Sequence, residues 1–427
     1  MSSPYIFLRY TNKSKNNMVN FREYQKDIID RGTEIINQHG FVYLSMEVRT
    51  GKTLTSLGIA ERIGVENVLF LTKKKAVSSI NEDYNLLSPN FSIFVINYES
   101  LHKIPDFDWD LIILDEAHSL GAFPKPNKRS KQVKELIKRH RPKIILLSGT
   151  PTPESYSQMY HQVFGTPNNP FSKYRNFYRF ADDFVVVTVM SINGLSVRDY
   201  SGGTPDIVRR MKPYTISYTQ KEAGFESEIE EEVVYVQVAD QTYDLCKQLR
   251  RDLVVEIGDE VILADTGVKL MSKMHQMFSG TVKFESGNSI VLDTSKADYI
   301  KWRFNCQKIA IFYKFKAELD ALKQVFGDQL CTDLETFNTT DKNIALQIVS
   351  GREGISLRFA EHIVFYNIDF SATSYWQARD RMTTKDRRYN KVYWIFSDGG
   401  IERDVYKAVN KKKNYTLRHF KTNSLSL

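Results

Sequence analysis

Short apolar runs alternate with longer segments of helical periodicity through the first 150 residues. An edge strand is expected at residues 5–8, and a helix at residues 21–38 that ends at Gly40. The next predicted strands share an apolar composition rich in β-branched and aromatic residues: 41–44, 67–71, 93–97, 111–114 and 143–148. Because segments that can form helices separate these strands, the pattern predicts a parallel sheet covered on both faces.

The alternation is lost between residues 165 and 293, where Pro and Gly recur and acidic residues cluster from Glu222 to Glu232. We interpret this region as helical protrusions and a linker. A second alternating unit begins near Thr294. Its predicted elements are a helix to 304, a strand at 308–312, a helix at 317–326, strands at 344–349 and 362–366, a helix at 375–382, a strand at 391–396 and a helix from 401.

The predicted fold class is therefore α/β, with two lobes of helix-covered parallel sheet. Lobe 1 is expected at residues 1–226, with a protrusion at about 165–212. A linker with a helical protrusion follows at 227–293, and lobe 2 at 294–427. The 427-residue length also favours two or three domains.

Composition adds three expectations. The formal net charge of +8 is compatible with a polyanionic partner. Cys246, Cys306 and Cys331 are odd in number and lack paired spacing, which predicts reduced thiols in the core rather than disulfides or zinc ligands. No apolar run of about 18 residues and no signal-peptide pattern is visible, so we expect a soluble intracellular protein without a membrane partner.

The segment from Ser45 to Thr53 joins a predicted strand to a predicted helix and ends in Gly-Lys-Thr. Gly51 allows backbone N–H groups to turn inward, Lys52 supplies a positive charge, and the Thr53 hydroxyl can bind Mg²⁺. These are the requirements for holding the β and γ phosphates of a nucleotide. The alternative is an ordinary strand-to-helix turn.

Asp115 and Glu116 follow the apolar strand at 111–114. Two carboxylates that leave a strand near a phosphate loop can divide the work of nucleotide hydrolysis. Asp115 can hold Mg²⁺, and Glu116 can orient the attacking water as a base. The alternative is a strand that ends in a polar turn.

The phosphate loop, D-E-A-H at 115–118 and S-G-T-P at 148–151 occur in this order, and together they resemble the first lobe of a superfamily 2 helicase or translocase. Four further segments are similar to the Swi/Snf-like branch: 22–25, the basic stretch 125–134, 211–221, and 273–280 ahead of 295–296. In the second lobe, 350–357 resembles motif V and 377–381 resembles the start of motif VI. The resemblance, which is to a compact phage or bacterial type, implies two RecA-like lobes with ATP between them.

The resemblance also implies roles for individual residues, with Gln25 recognising adenine and Arg381 reaching the nucleotide from lobe 2. The catalytic positions are Lys52, Asp115, Glu116, Arg381, Arg387 and Arg388. The cofactor-binding positions are Arg22, Gln25, Arg49, Thr50, Gly51, Lys52, Thr53, Gly354, Gln377 and Arg381, with Thr53 and Asp115 as metal ligands. The nucleic-acid-binding positions are Thr72, Lys73, Lys74, Asn97, Tyr98, Ser100, Ser350 and Arg352.

One position departs from the family pattern. The family places a second arginine three residues after Arg381, and this chain has Thr384 there. A guanidinium at that position would neutralise charge on the γ-phosphate. Either Arg381 acts alone, or Lys385, Arg387 or Arg388 replaces the missing group; we favour Arg381 with Arg387 or Arg388. The alternative for the last two is a solvated basic turn.

Two other segments remain open between alternatives. Residues 125–143 are densely basic but include Val133, Leu136 and Ile137, so they can contact DNA or form an amphipathic helix with a solvated charged face. Residues 171–180 interleave aromatic and basic side chains, which can stack on exposed bases or pack a small core of their own. Met271, Met274 and Met277 are expected to form a buried helical stripe.

The resemblance implies a monomeric, ATP- and Mg²⁺-dependent DNA translocase of the bacterial or infected-host cytoplasm. It would remodel duplex or branched DNA with sequence-tolerant, salt-sensitive binding. Two alternatives remain: an RNA helicase on the same lobes, and an ATP-gated nucleic-acid clamp with little turnover, which Thr384 favours.

Overall fold

The computed structural model describes residues 7–8, 20–192, 195–224, 228–348, 357–371, 375 and 389–410. The chain divides into two compact units, Met1–Gly224 and Phe225–Leu427. Within the described ranges, no helix combines the length and apolar character that a membrane span requires.

The first unit is built on one sheet. The strands of this unit are β1 (Phe7–Leu8), β2 (Phe41–Met46), β3 (Asn67–Thr72), β4 (Ser92–Asn97), β5 (Leu111–Leu114), β6 (Lys143–Ser148), β7 (Val185–Ile192), β8 (Leu195–Gly203) and β9 (Thr215–Tyr218). Its α-helices are α1 (Glu23–His39), α2 (Lys52–Arg62), α3 (Val77–Leu87), α4 (Lys128–His140), α5 (Met159–Val163), α6 (Phe177–Phe184) and α7 (Asp206–Met211). Short 3₁₀ turns lie at Lys74–Ala76, Tyr98–Lys103, Ala117–Leu120, Tyr156–Gln158 and Lys212–Tyr214.

The strand order of this sheet is β1-β4-β3-β5-β6-β2-β9. All neighbouring strands pair in parallel except β1, which is antiparallel to β4 at the edge. This strand order matters for the candidate site because β3 and β5 are neighbouring strands. Polar residues that follow these two strands therefore meet at one edge of the sheet.

The two faces of the sheet are covered by different helices, because successive side chains of a strand point to opposite faces. Val42 of β2 packs in the same cluster as Ile28 of α1 and Leu57 of α2. Tyr43, one residue later, packs in the cluster that contains Val133 of α4 and Phe180 of α6. This arrangement confirms the double coverage expected from the strand and helix alternation.

The second unit contains a second parallel sheet. The strands of this unit are β10 (Glu228–Val236), β11 (Val254–Ile257), β12 (Glu260–Leu263), β13 (Thr281–Lys283), β14 (Ser289–Val291), β15 (Ile309–Tyr313), β16 (Leu330–Cys331), β17 (Asn343–Gln347), β18 (His362–Phe365) and β19 (Tyr389–Ser397). Its helices are α8 (Asp240–Asp252), α9 (Gly267–Phe278), α10 (Ser295–Arg303), α11 (Lys316–Phe326), α12 (Leu334–Thr339) and α13 (Glu402–Asn410), with a 3₁₀ turn at Gly327–Gln329.

The sheet order is β10-β19-β18-β15-β17-β16, and every pairing is parallel. Apolar clusters lie on both faces: one contains Phe312 of β15 with Met274 of α9, and the other contains Ile311 with Leu322 of α11. The predicted α/β class, with two parallel sheets covered by helices, is confirmed.

The middle of the chain differs from the sequence interpretation. The second part of the acidic stretch, 228–232, belongs to strand β10, which pairs with β19 over its whole length. Lys391 of β19 lies 3.2 Å from Glu230 and 2.8 Å from Glu232, so its ammonium offsets the like charges that made this segment look unstructured. The same region holds the hairpins β7–β8, β11–β12 and β13–β14 besides helices, whereas only helical protrusions were expected.

The cysteine and methionine expectations are met in different degrees. Cys246 and Cys331 are buried free thiols, as predicted. Cys306 is exposed, so its assignment to the core was wrong; it lies in the turn after α10 at φ +62°. Met271, Met274 and Met277 are all buried on α9, which confirms the stripe.

Candidate nucleotide-binding site

The loop between β2 and α2 has the geometry of a turn that directs backbone N–H groups inward. Arg49 and Gly51 both adopt positive φ angles, +64° and +79°. The Nζ atom of Lys52 donates to the carbonyl oxygens of Met46, at 2.9 Å, and Glu47, at 3.0 Å. The buried Thr50 hydroxyl also donates to the Glu47 carbonyl, at 2.8 Å, so the loop is held by its own side chains.

Gln25 contacts this loop from α1. Its Oε1 accepts from the Arg22 amide at 3.0 Å, and its Nε2 donates to Oγ1 of Thr55 at 3.4 Å. The positive φ of Gly51 favours glycine, and a Cβ atom there would also displace Nε2 of Gln25. The residue predicted to recognise adenine therefore lies against the phosphate loop.

The segment after β9 supports the loop from the other side, and sequence reasoning did not assign it a role. Gln220 donates from its amide to Oε2 of Glu47 at 2.7 Å, and from Nε2 to the Val48 carbonyl at 2.9 Å. Tyr218 stacks on Tyr24 with ring centroids 4.6 Å apart, and the Tyr24 hydroxyl donates to the Thr50 carbonyl. The only sequence signal was that 211–221 is similar to a family segment.

Asp115 lies at the end of β5, next to the end of β3. Oδ2 of Asp115 accepts a 2.7 Å hydrogen bond from the Thr72 hydroxyl, and its carbonyl accepts from the Tyr98 hydroxyl at 2.6 Å. Burial and the nearby Glu116 carboxylate raise the pKa of Asp115 to about 6, while the Thr72 hydrogen bond and Lys52 lower it. Lys52 of the phosphate loop thus acts electrostatically on the carboxylate predicted to bind metal.

Glu116 has a left-handed backbone, with φ +50° and ψ +46°. Its Oε2 lies 3.2 Å from Nδ1 of His118, and the same Nδ1 lies 3.0 Å from the Ser148 hydroxyl. Ser148 in turn accepts from the Thr150 amide at 3.1 Å. D-E-A-H and S-G-T-P are therefore joined by side-chain contacts within the first unit, and the buried Thr150 hydroxyl has no hydrogen-bond partner among the described residues.

The donor set fits Mg²⁺ better than a soft metal. Thr53 lies in the first turn of α2, and the carboxylate of Asp115 is a hard oxygen ligand. Among the described residues, no group of three or more His, Cys, Asp or Glu could hold a metal ion. A site with few protein ligands suits Mg²⁺, which commonly retains waters and shares ligands with substrate phosphates.

The positions predicted to hold nucleic acid follow β3 and β4 at the same edge. Thr72, Asn97 and Tyr98 are buried, Lys73 and Ser100 are partly exposed and Lys74 is exposed. The Thr72 hydroxyl is engaged with Asp115, and the Asn97 amide donates to Glu99 at 2.8 Å. Lys73, Lys74 and Ser100 are thus the accessible members of this set.

The two open segments of the first unit have different outcomes. In residues 171–180 the side chains of Phe171, Tyr174, Phe177 and Phe180 are buried in the cluster that also contains Tyr43 of β2, so these aromatics pack in the core of the first unit; Tyr178 is exposed. Residues 128–140 are the amphipathic helix α4, with Val133 and Ile137 buried. Its charged face is exposed.

Comparison with known proteins bears on this geometry. Residues 47–240 match the family model described as the SNF2-related domain. This part of the chain is similar to SNF2-related domains. The Swi/Snf-like resemblance inferred from the motifs is thereby confirmed, since the match contains the phosphate loop, D-E-A-H and S-G-T-P.

The curated relatives match over a short stretch. The RNA polymerase-associated protein RapA of Yersinia enterocolitica (serotype O:8 / biotype 1B) is 38% identical over 65 residues, which is 15% of this chain and 6% of that protein. RapA of Yersinia pestis (strain Pestoides F) is 37% identical over 65 residues, which is again 15% of this chain and 6% of that protein. The chain thus matches only a small part of these relatives.

Two solved structures of the Sulfolobus solfataricus SWI2/SNF2 ATPase core are similar over most of the chain. The core in complex with dsDNA has a TM-score of 0.42 at 16% identity, covering 94% of this chain and 93% of that one. The core domain alone has a TM-score of 0.41 at 15% identity, covering 95% and 93%.

The motif V and motif VI positions lie outside the described residues. These are Ser350, Arg352, Gly354, Gln377, Arg381, Arg387 and Arg388, together with Thr384 and the predicted helix at 375–382 except Tyr375. Their roles remain predictions.

Proposed function

We propose that this chain is a nucleic-acid-stimulated ATPase that acts as a DNA translocase on duplex or branched DNA. The observation that carries the proposal is the environment of Asp115 at the carboxyl ends of β3 and β5. Its carboxylate accepts a hydrogen bond from Thr72 and lies next to Glu116. Burial raises the pKa of this carboxyl, and the positive charge of Lys52 opposes that rise. A phosphate-binding lysine and a carboxylate pair in one site are what nucleoside triphosphate hydrolysis requires.

The residues of the first unit divide the work as follows. Gln25, beside Gly51, recognises the adenine with Arg22 next to it. The loop residues Arg49 and Thr50, the amides at the α2 N-terminus and Lys52 hold the phosphates. Thr53 and Asp115 hold Mg²⁺, which when bound neutralises phosphate charge and orients the terminal phosphate for attack.

Glu116 acts as the base that positions the attacking water. Its contact with His118, which also contacts Ser148, supports this role because it fixes the carboxylate relative to the S-G-T-P segment. Arg381 of the second unit, with Arg387 or Arg388, completes the site by stabilising charge on the γ-phosphate.

Nucleic acid is held at residues after β3 and β4, with Ser350 and Arg352 contributing from the second unit. Backbone amides and the side chains of Lys73, Lys74 and Ser100 contact phosphates, which carry no sequence information. Binding should therefore be sequence-tolerant and weaken steeply with salt.

The experiment is steady-state ATP hydrolysis by the full chain without nucleic acid and with single-stranded, duplex and forked DNA and RNA. We expect strong stimulation by duplex or forked DNA, lost in Glu116→Gln. The matched control is Glu34→Gln, an exposed glutamate on α1, which should hydrolyse ATP like the wild type. Stronger stimulation by RNA would instead support the RNA helicase alternative.

An ATP-gated clamp is the second candidate, favoured by Thr384 in place of the second motif VI arginine. It predicts ATP binding with background turnover on every polymer. That result, together with a Glu116→Gln variant indistinguishable from wild type, would replace the translocase with the clamp.

A further inference from the structure

One segment of the first unit is strongly basic. Residues 125–143 contain nine basic residues and one acidic residue, a net charge of +8, which equals that of the whole chain. The rest of the chain carries 50 basic and 50 acidic residues and is neutral. A segment with this charge density attracts a polyanion.

Within the segment, α4 presents its cations on one side. Lys128, Lys131, Lys134, Lys138 and Arg139 are exposed and form what we call the basic face of α4. Val133 and Ile137 are buried on the opposite side. From Lys128 to Lys138 the face extends about 15 Å along the helix axis.

The helix itself does not account for this charge. Cations in its last turn favourably oppose the helix macrodipole, but Lys128 and Arg129 lie in the first turn, where cations are unfavourable. Among the described residues, none forms an ion pair with Lys128, Lys131, Lys138 or Arg139, whereas Lys26 and Arg31 of α1 each pair with an acidic neighbour. Burial and the neighbouring Lys138 ammonium both lower the pKa of Lys134. The effect of Lys138 is the repulsion expected between like charges on one helix face.

We propose that the basic face of α4 binds the phosphate backbone of duplex DNA. A rigid helix face complements a rigid duplex, and the face contains no aromatic side chain on which single-stranded bases could stack. The face lies on one side of the sheet, and its helix reaches the segment after β4, where Arg129 of α4 pairs with Glu99. The inference rests on the proposed function for its DNA partner and adds a second contact to it.

The test is equilibrium binding of the full chain to a duplex of about 40 base pairs across a range of salt concentrations. In Lys131→Gln/Lys138→Gln, two phosphate contacts are removed. The slope of log K against log salt should therefore fall in magnitude by about 2, with more than tenfold weaker binding at about 0.1 M salt. Gln is nearly as good a helix former as Lys, so α4 should be retained, which circular dichroism would verify.

The matched control is Arg31→Gln/Arg62→Gln, which removes the same charge from α1 and α2 on the opposite face of the sheet. It should bind like the wild type. Equal binding and slopes in the α4 variant and this control would overturn the proposal, as would a loss confined to an RNA duplex.

ATP hydrolysis at saturating duplex separates this inference from the proposed function. We expect the α4 variant to reach the wild-type maximal rate at higher DNA concentration. If DNA does not stimulate ATP hydrolysis by the wild type but its DNA affinity still depends on Lys131 and Lys138, the translocase proposal is rejected and the DNA-binding role of the basic face is retained. A stimulated wild type with an unchanged α4 variant would do the reverse.

Discussion

The hydroxyl of Thr72 donates a 2.7 Å hydrogen bond to Oδ2 of Asp115, joining the ends of β3 and β5. Thr72 was predicted from family resemblance to contact nucleic acid, and Asp115 to bind metal. Because one bond links the two positions, a displacement of the backbone at the end of β3 alters the environment of the carboxylate.

Thr72→Val should shift the pH dependence of ATP hydrolysis. The hydrogen bond favours the ionised form of Asp115, so its loss raises the pKa of that carboxyl. We expect the acid limb of kcat/KM to move upward by about one pH unit, since a hydrogen bond to a charged group contributes about 1.5–3 kcal/mol. Thr72→Ser keeps the donor and should keep the wild-type profile; identical profiles for Val and Ser would contradict the link.

Asp115→Asn should abolish hydrolysis and yet stabilise the protein above pH 6. The pKa of Asp115 is raised in the folded state, so its protonation-linked stability is complete below about pH 4 and lost as pH rises through about 6. The gain from Asn should therefore grow between pH 4 and 6 and level off, reaching at most about 3 kcal/mol. Thermal melts against pH would measure this.

The control for that series is Asp106→Asn, at an exposed position. Its melting temperature should follow the wild type at every pH. A gain in Asp115→Asn that is already complete at pH 4 would show that relief of a buried charge is not its cause.

Gly51→Ala should weaken ATP binding and lower stability more than Gly64→Ala. Both glycines have positive φ, +79° and +69°, so both variants incur about 1–2 kcal/mol of backbone strain. A Cβ at Gly51 also meets Gln25, while one at Gly64 meets nothing within 4 Å. Urea unfolding and nucleotide titration would compare the two variants.

Gly51→Ala/Gln25→Ala provides an internal check, because it removes the amide that the new methyl group would meet. Gly51→Ala should lose more stability than Gly64→Ala. We expect the double variant to recover this excess loss. If the loss is the same with and without Gln25, the contact across the loop is not the source of the requirement for glycine.

The strands that form the site could be predicted from local pattern alone. Leu111–Leu114 and Lys143–Ser148 have the predicted bounds because their apolar runs end abruptly at Asp115 and Gly149. Strand β10 was missed because its run of glutamates is atypical of a strand, and two of them, Glu230 and Glu232, contact Lys391, a partner more than 150 residues away. Local sequence does not contain that compensation.

The candidate site shows the same limit. Gly51, Lys52, Asp115 and Glu116 carry their chemistry in their own motifs and could be found in sequence. The Thr72–Asp115 and Gln220–Glu47 hydrogen bonds depend on strand neighbours and register, which motif spacing does not specify. The aromatic run at 171–180 stayed open for a related reason: helix α6 begins after Asn176, whose side chain caps it and turns Phe177 and Phe180 inward.

The buried ion pair of Lys296 and Glu402 supplies the last prediction. Lys296 Nζ lies 3.3 Å from Oε1 of Glu402, and also 4.9 Å from the ring centroid of Tyr366, in the interior of the second unit. The side chains are 1% and 0% exposed, and within the part of the chain that the structure describes Oε2 of Glu402 has no hydrogen-bond partner. Lys296→Met would leave a buried carboxylate without its cation, so we expect a loss of about 3–5 kcal/mol in unfolding free energy.

Removing both charges should cost much less than removing the lysine alone. In Lys296→Met/Glu402→Gln no charge remains to be desolvated, and the coupling energy of the cycle should be at least about 2 kcal/mol. Urea unfolding of the four proteins measures it, and Lys301→Met on the exposed side of the same helix α10 controls for loss of a lysine. Additive losses would mean that the two side chains do not stabilise each other, whereas recovery in the double variant would assign the cost of Lys296→Met to the stranded carboxylate of Glu402.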